Sequence, residues 1–142
     1  MPIRAIAYAS QAVAGLPQSK IDSIVEDAAH FNGVAGITGV LLFDGAWFLQ
    51  YFEGPEDGVK AVHDRIQGSR SHANIVQLGQ GHLPARLFPY WAMRQLATDS
   101  LTLGRIIMAD WAQFTRLAGT PGSEGTAIDR LTEVVEPYLT AA

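Results

Sequence analysis

The dipeptide Asp44-Gly45 stands between two apolar runs, Gly36 to Phe43 and Ala46 to Glu53. Asp-Gly tolerates the positive φ angles of the tight turn that joins antiparallel strands, so the runs are predicted to form a β-hairpin. Side chains alternate along a strand, which places Phe48, Gln50 and Phe52 on one surface of the second arm. Two phenylalanines mark that surface as buried, and the amide between them has lost water. Left unpaired it would cost roughly 1–3 kcal/mol, so Gln50 requires either a backbone partner or a bound polar molecule. Taken alone, such a glutamine is an edge residue or is bonded to a neighbouring carbonyl. The surrounding pattern decides.

Ile3 to Ser10 alternates as a strand, with Ile6, Tyr8 and Ser10 on one side and the small residues Ala5, Ala7 and Ala9 on the other, where a helix can pack closely. Gly15 to Ser19 is a turn. Ile21, Ile24, Val25, Ala28 and Ala29 then follow at helical spacing, ending near Asn32-Gly33. After the hairpin, Pro55 suits a first helical turn, Glu56 and Asp57 complement the helix dipole, and Val59, Val62 and Ile66 form the buried stripe. Ile75 to Leu78 and Trp91 to Leu96 read as further strands, separated by the Pro84 to Pro89 connection. The order β-α-β-β-α-β-β specifies an α+β, ferredoxin-like sheet with two core helices and an extra strand. No internal repeat is present.

The last third differs. Leu103, Ile106, Ile107, Trp111, Phe114 and Leu117 recur at helical spacing, Gly119 to Gly122 breaks the pattern, and Ile128, Leu131, Val134, Val135 and Tyr138 resume it. Two amphipathic helices are predicted, the first weakened by Gly104 and the second kinked or ended by Pro137. Residues 1–97 thus read as one compact domain and 98–142 as a helical extension that caps the sheet, mediates oligomerisation or carries output.

Composition excludes several functions. The 142 residues carry a formal charge of −4, with their few basic residues scattered, so nucleic acid is not an expected ligand. No apolar run is long enough to span a bilayer and no secretion signal is apparent, which points to the cytoplasm and to no membrane partner. The absence of cysteine removes thiol catalysis and thiolate zinc sites. His30, His63, His72 and His82 share no metal-binding spacing and read as surface or capping residues. Ser10 lacks a nucleophile elbow. The Gly33, Gly36 and Gly39 cluster precedes a strand rather than a helix, so it is no dinucleotide fingerprint.

Tyr8-Ala9-Ser10, Asn32, Gly36-Ile37-Thr38-Gly39-Val40-Leu41-Leu42, Phe48-Leu49-Gln50, Phe52-Glu53-Gly54 and Trp91-Ala92-Met93 occur in an order and spacing that resemble the BLUF domains, blue-light sensors using FAD. The resemblance covers roughly Ile3 to Leu96. It implies that a flavin ring lies between the two core helices, walled by Ile24 and Ile66, with its polar edge towards Gln50 and Asn32 and with Arg65 towards the ribityl phosphate. It further implies that Tyr8 donates an electron and then a proton to the photoexcited flavin. Gln50 then rotates or tautomerises, giving a reversible red-shifted state, and Trp91 and Met93 relay the change. The chemistry of an amide suits this role, because its two ends have opposite hydrogen-bonding character.

The chain departs from the family pattern at Phe31, where a polar residue is common, and at Ser69 and Ser71, which stand where an Asp and an Arg are usual, with an Arg displaced to position 70. These departures leave FMN or riboflavin as alternatives to FAD. The expected partners are the flavin, an unidentified downstream protein and a second copy of the chain in a homo-oligomer. The expected function is a photoreceptor without enzymatic turnover. A small flavin-dependent oxidoreductase and a light-insensitive interaction module on the same fold are the alternatives.

Overall fold

A computed structural model describes residues 3–13, 15–68, 72–109, 111 and 127–140. The elements run β1 (Ile3–Ala12), α1 (Gln18–Ala35), β2 (Thr38–Phe43), β3 (Trp47–Gly54), α2 (Glu56–Gln67), β4 (His72–Leu83), β5 (Arg94–Ala97), α3 (Ser100–Ile107) and α4 (Ala127–Thr140). The strands form one sheet in the order β4-β1-β3-β2-β5. All neighbouring pairs are antiparallel except β2 and β5, which run parallel. This is the predicted ferredoxin-like α+β arrangement with its added strand.

The hairpin forms at Asp44-Gly45. Gly45 takes φ 105°, and the Asp44 carboxylate accepts from the backbone N–H groups of Ala46 and Trp47 at 2.9 and 2.8 Å. Its register sets the rest of the sheet: Gln50 faces Tyr8 of β1 on one side and Leu41 of β2 on the other. Gly39 permits this approach, because a Cβ there would lie 2.2 Å from the Tyr51 carbonyl oxygen.

Each face of the sheet has its own cover. Ile6, Tyr8, Phe52, Val59, Val62 and Ile66 form one cluster beneath α2, and Ile21, Leu41, Phe48 and Met93 form another beneath α1. On the opposite face Ala5, Ala7, Leu42, Leu49 and Tyr51 pack with Leu103, Ile106, Leu131 and Val135 of α3 and α4. The small-residue side of β1 therefore receives helices, and the C-terminal pair supplies part of the cover. The same face buries Glu53 completely. Its carboxylate accepts from the Tyr51 hydroxyl at 2.7 Å and from Leu87 and Phe88 N–H at 2.9 and 2.8 Å, tying the β4–β5 connection to β3. Burial, reinforced by the nearby Glu53 charge and their hydrogen bond, holds the Tyr51 phenol well above its ordinary pKa.

Several boundaries differ from the sequence expectation. α1 continues past Asn32-Gly33 to Ala35, because the left-handed residue that stops it is Gly36 at φ 75° and Gly33 is an exposed interior position. Pro55 is the N-cap of α2 rather than a residue of its first turn. β5 starts at Arg94 instead of Trp91, since the Ala92 carbonyl is taken by the Asn32 side chain instead of the ladder. α3 stops at Ile107, and the Trp111 indole N–H donates to the Ile106 carbonyl at 3.0 Å beside its end. Phe114, Leu117 and the Gly119 to Gly122 break lie outside the described residues. α4 runs through Pro137, whose exposed position lets water satisfy the carbonyl one turn back.

Candidate functional site

A cleft of ≈ 360 Å³ opens between α1 and α2. Ile24, Val62 and Ile66 supply apolar lining, while Asn32 and Gln50 add amides and Lys20, Asp27 and Arg65 add charges. Five residues singled out in the sequence, Ile24, Asn32, Gln50, Arg65 and Ile66, thus converge on one space. Val62 was legible only as core, and Lys20 and Asp27 carried no signal that separates them from other surface charges.

The amides are the informative part. Gln50 is 8% exposed, and its side chain makes no hydrogen bond among the described residues. The ordinary backbone partner expected of a strand glutamine is missing. Asn32 is 2% exposed and donates Nδ2–H to the Ala92 carbonyl at 2.8 Å. A carbonyl can only accept, so this bond fixes which end of the Asn32 amide faces Ala92. One further N–H and the Oδ1 acceptor remain for the cleft. The space therefore offers donors and acceptors side by side over apolar walls, which suits a flat heteroaromatic with an alternating polar edge.

Tyr8 is 2% exposed and is the direct cross-strand neighbour of Gln50, but it does not line the cleft. Its hydroxyl is instead hydrogen-bonded to Nδ1 of His63 on α2. The Tyr8 hydroxyl thus meets His63 while its residue stands opposite Gln50, and one expectation is corrected: His63 is neither a surface nor a capping histidine. The signal was available in the spacing. His63 continues the Val59, Val62, Ile66 stripe at helical intervals, so it had to face the sheet.

Arg65 lies with its guanidinium 4.7 Å from the centre of the Phe31 ring, so the apolar residue that departs from the family pattern packs against the arginine. Ser69, Arg70 and Ser71 lie outside the described residues. Trp91 and Met93 part company. Met93 is buried with Ile21, Leu41 and Phe48 on the cleft side, whereas Trp91 packs against the cluster on the opposite face. Arg94 lies 4.8 Å from the Trp91 ring and 5.0 Å from the Tyr138 ring of α4, joining this segment to the C-terminal helices.

Residues 3–94 match the family model described as sensors of blue-light using FAD. The chain belongs to the BLUF family. It is 42% identical over 72 residues to the blue light- and temperature-regulated antirepressor BluF of Escherichia coli K12, an alignment spanning 51% of this chain and 18% of BluF. It is 28% identical over 97 residues to the photoactivated adenylate cyclase subunit beta of Euglena gracilis, spanning 68% of this chain and 11% of the cyclase subunit. The chain thus spans less than a fifth of the length of these curated relatives. The dark-state structure of the BLUF protein BlrB is similar with a TM-score of 0.72 at 23% identity, covering 96% of this chain and 97% of BlrB, a likeness of fold. The BlrP1 BLUF structure gives 0.68 at 27% identity, covering 95% of this chain and 90% of that one.

As a BLUF-family chain it carries a blue-light-sensing domain whose chromophore is a flavin. The cleft fits that group, because Gln50 has no hydrogen-bond partner among the described residues and Asn32 keeps one N–H and its Oδ1 acceptor for the cleft. Among the described residues no cluster could hold a metal ion, and no helix is long and apolar enough to cross a membrane.

Proposed function

We infer that the α1–α2 cleft holds FAD and that Tyr8 and Gln50 form its photochemical switch. The observation that carries this reading is the Gln50 amide, buried at the cleft without a protein partner and directly opposite Tyr8. Ile24 and Ile66 serve as walls, Asn32 and Gln50 meet the polar edge, and Arg65 with Lys20 balances the phosphate charge. A phosphorylated flavin, FAD or FMN, is preferred over riboflavin because two cations line the cleft, where a riboflavin tail would leave them unmatched.

When photoexcited, the flavin supplies an electron acceptor. Tyr8 loses an electron and its phenolic proton, then regains both, and Gln50 emerges with its donor and acceptor ends exchanged. A net hydrogen bond is worth about 0.5–1.5 kcal/mol, so the exchanged arrangement relaxes thermally. Asn32, bonded to Ala92, passes the change to the segment carrying Trp91 and Met93, and Arg94 carries it to Tyr138 on α4. Output leaves through a partner protein or a second copy of the chain, with α3 and α4 as the responsive surface.

The test is a visible spectrum of the purified FAD-loaded protein before and after blue illumination. The expected result is a red shift of a few nanometres that recovers in darkness. Bleaching, or an unchanged spectrum, would refute the switch. Loading with FAD, FMN and riboflavin in parallel tests the cofactor, and equal affinity for all three would refute the role given to Lys20 and Arg65.

A further inference from the structure

The sheet ends on one side at β4, and no strand pairs with its outer edge among the described residues. Its register with β1 shifts between Ala7 and Tyr8 and again between Ala9 and Gln11, close to Asn74 at φ 52°. From Gly79 to Leu83 the pairing is regular, running against Ala7 to Ile3. A bare edge is a template for another strand, and proteins block it with charged residues, proline or a bulge. Gly79-Gln80-Gly81-His82-Leu83 contains no Lys, Arg, Asp, Glu or Pro and carries no bulge. Beside it, between α2 and the β1–β4 edge, lies a hollow of ≈ 260 Å³. We propose that this edge and this hollow form a docking site for an extended, acidic segment of a partner protein.

Strand addition takes its affinity from main-chain hydrogen bonds and its selectivity from pockets for alternate side chains. Gln80 pairs with Ile6 and lines the hollow with it, so a residue laid beside Gln80 turns its own side chain towards the hollow. Its two neighbours lie beside Gly79 and Gly81 on the other face, where β4 has no side chain and a bulky apolar residue can cover the gap. The sign of the central residue follows from the charges. Arg4 donates to Glu56 at 3.2 Å and to the Gln80 side-chain carbonyl at 2.5 Å, so these two lining charges offset one another. Lys60 also lines the hollow and has no hydrogen bond or ion pair among the described residues. Its ammonium is the charge left over, and it favours a carboxylate and disfavours a second cation. The recognised pattern is therefore bulky apolar, acidic, bulky apolar in extended conformation.

The hollow also adjoins the residues assigned to the switch. Tyr8 pairs with Gln50 of β3 on one side and with Gln77 of β4 on the other, and Gln77 lines the hollow. Switch and docking site thus share one cross-strand row, a second route for output apart from α3 and α4. This coupling rests on the photochemical reading; the docking site does not.

The test titrates the ¹⁵N-labelled, FAD-loaded full chain at low salt with the peptide acetyl-Thr-Val-Glu-Val-Thr-amide. In the dark, amide shifts are expected at Gly79 to Leu83 and around Lys60 on α2. Replacing the peptide's Glu by Lys is expected to weaken binding about 3-fold, the scale of an exposed ion pair, and Lys60→Glu to reverse that preference. Two further peptides, N-methylated at the odd or at the even residues, distinguish strand addition from a loose charge contact. Only alternate amides of an added strand face the edge, so one of these peptides should fail and the other bind. Shifts absent at millimolar peptide, equal behaviour of the two methylated peptides, or equal affinity for the Glu and Lys peptides would overturn the proposal. Shifts at Gly79 to Leu83 that grow with protein concentration alone would put a second copy on the edge and overturn the partner assignment. Under blue light the affinity is expected to change, and an unchanged affinity in protein showing the red shift would remove the coupling. A missing red shift faults the photochemical reading, while the dark titration still decides the docking site.

Discussion

Gln50→Leu should change the sign of its effect between the flavin-free and the flavin-loaded protein. In the flavin-free chain the amide is 8% exposed and has no protein hydrogen bond, so cleft water alone satisfies it. Leucine fills a similar volume without a polar group to satisfy. Because solvent in the cleft can satisfy this amide, the full penalty of roughly 1–3 kcal/mol for an unsatisfied buried group does not apply, and its removal is worth at most about 1 kcal/mol of stabilisation. For a chain of this size that raises the melting temperature by at most about 3–4 °C. In the loaded protein the same substitution deletes two hydrogen bonds to the flavin, each worth about 0.5–1.5 kcal/mol, so binding should weaken by about 5- to 150-fold. Denaturant melts of the flavin-free forms measure the first effect and flavin-fluorescence titration the second. The loaded variant should show no light-induced red shift. A flavin-free Gln50→Leu destabilised by more than about 1 kcal/mol would mean that Gln50 has a protein partner after all. A normal light-induced shift in the variant would remove Gln50 from the switch.

Asn32→Ala should weaken flavin retention about 10-fold by equilibrium titration, since it loses one amide in the cleft and frees the Ala92 carbonyl held at 2.8 Å. Arg94→Met should leave the spectrum and photocycle intact but abolish any light-induced change in hydrogen exchange along α4, because its two aromatic contacts, at 4.8 and 5.0 Å, join Trp91 to Tyr138. Gly58→Ala should lower the melting temperature and flavin affinity together, because its Cβ would lie 2.3 Å from the Ala35 carbonyl oxygen and force α2 away from α1. Tyr51 has its folded pKa raised well above the ordinary phenol value of 10.0, so the unfolded chain loses its proton first, and the stabilisation present below pH 10.0 declines as pH rises through the folded value. Denaturant melts from neutral to alkaline pH should show that decline in the parent and a flatter profile in Tyr51→Phe.

The sheet was legible because its signals are local. Asp44-Gly45 fixes a turn, the turn fixes the Tyr8–Gln50 register only once β1 pairs beside β3, and the alternation of both strands then fixes the faces. The cleft residues were legible through their conjunction, as Ile24, Asn32, Gln50, Arg65 and Ile66 have unremarkable spacing one by one. What escaped were features decided across the sheet. The position of Trp91 and Met93 on opposite faces depends on Asn32 drawing Ala92 out of the ladder, which no periodicity encodes. The Glu53 carboxylate reads as a polar interruption in β3 until Leu87 and Phe88 fold back on it. His63 shares no spacing with the other histidines, and its signal lies instead in the Val59, Val62, Ile66 stripe of its own helix, which turns it towards Tyr8.

A switch built from an amide must meet two opposed demands. The amide has to be buried enough that its orientation is fixed by a few partners, and free enough that exchanging its ends does not break the fold. Gln50 meets both because its neighbours on the sheet, Tyr8 and Leu41, are held by backbone pairing that does not involve its side chain. The fold is consequently indifferent to which end of the amide points where, and the cleft is not. Asn32 is the opposite case. Its Nδ2 is tied to a backbone carbonyl at 2.8 Å, so it cannot turn over without releasing the Ala92 segment. One amide is therefore suited to reorient and the other to transmit, and the division follows from what each is bonded to.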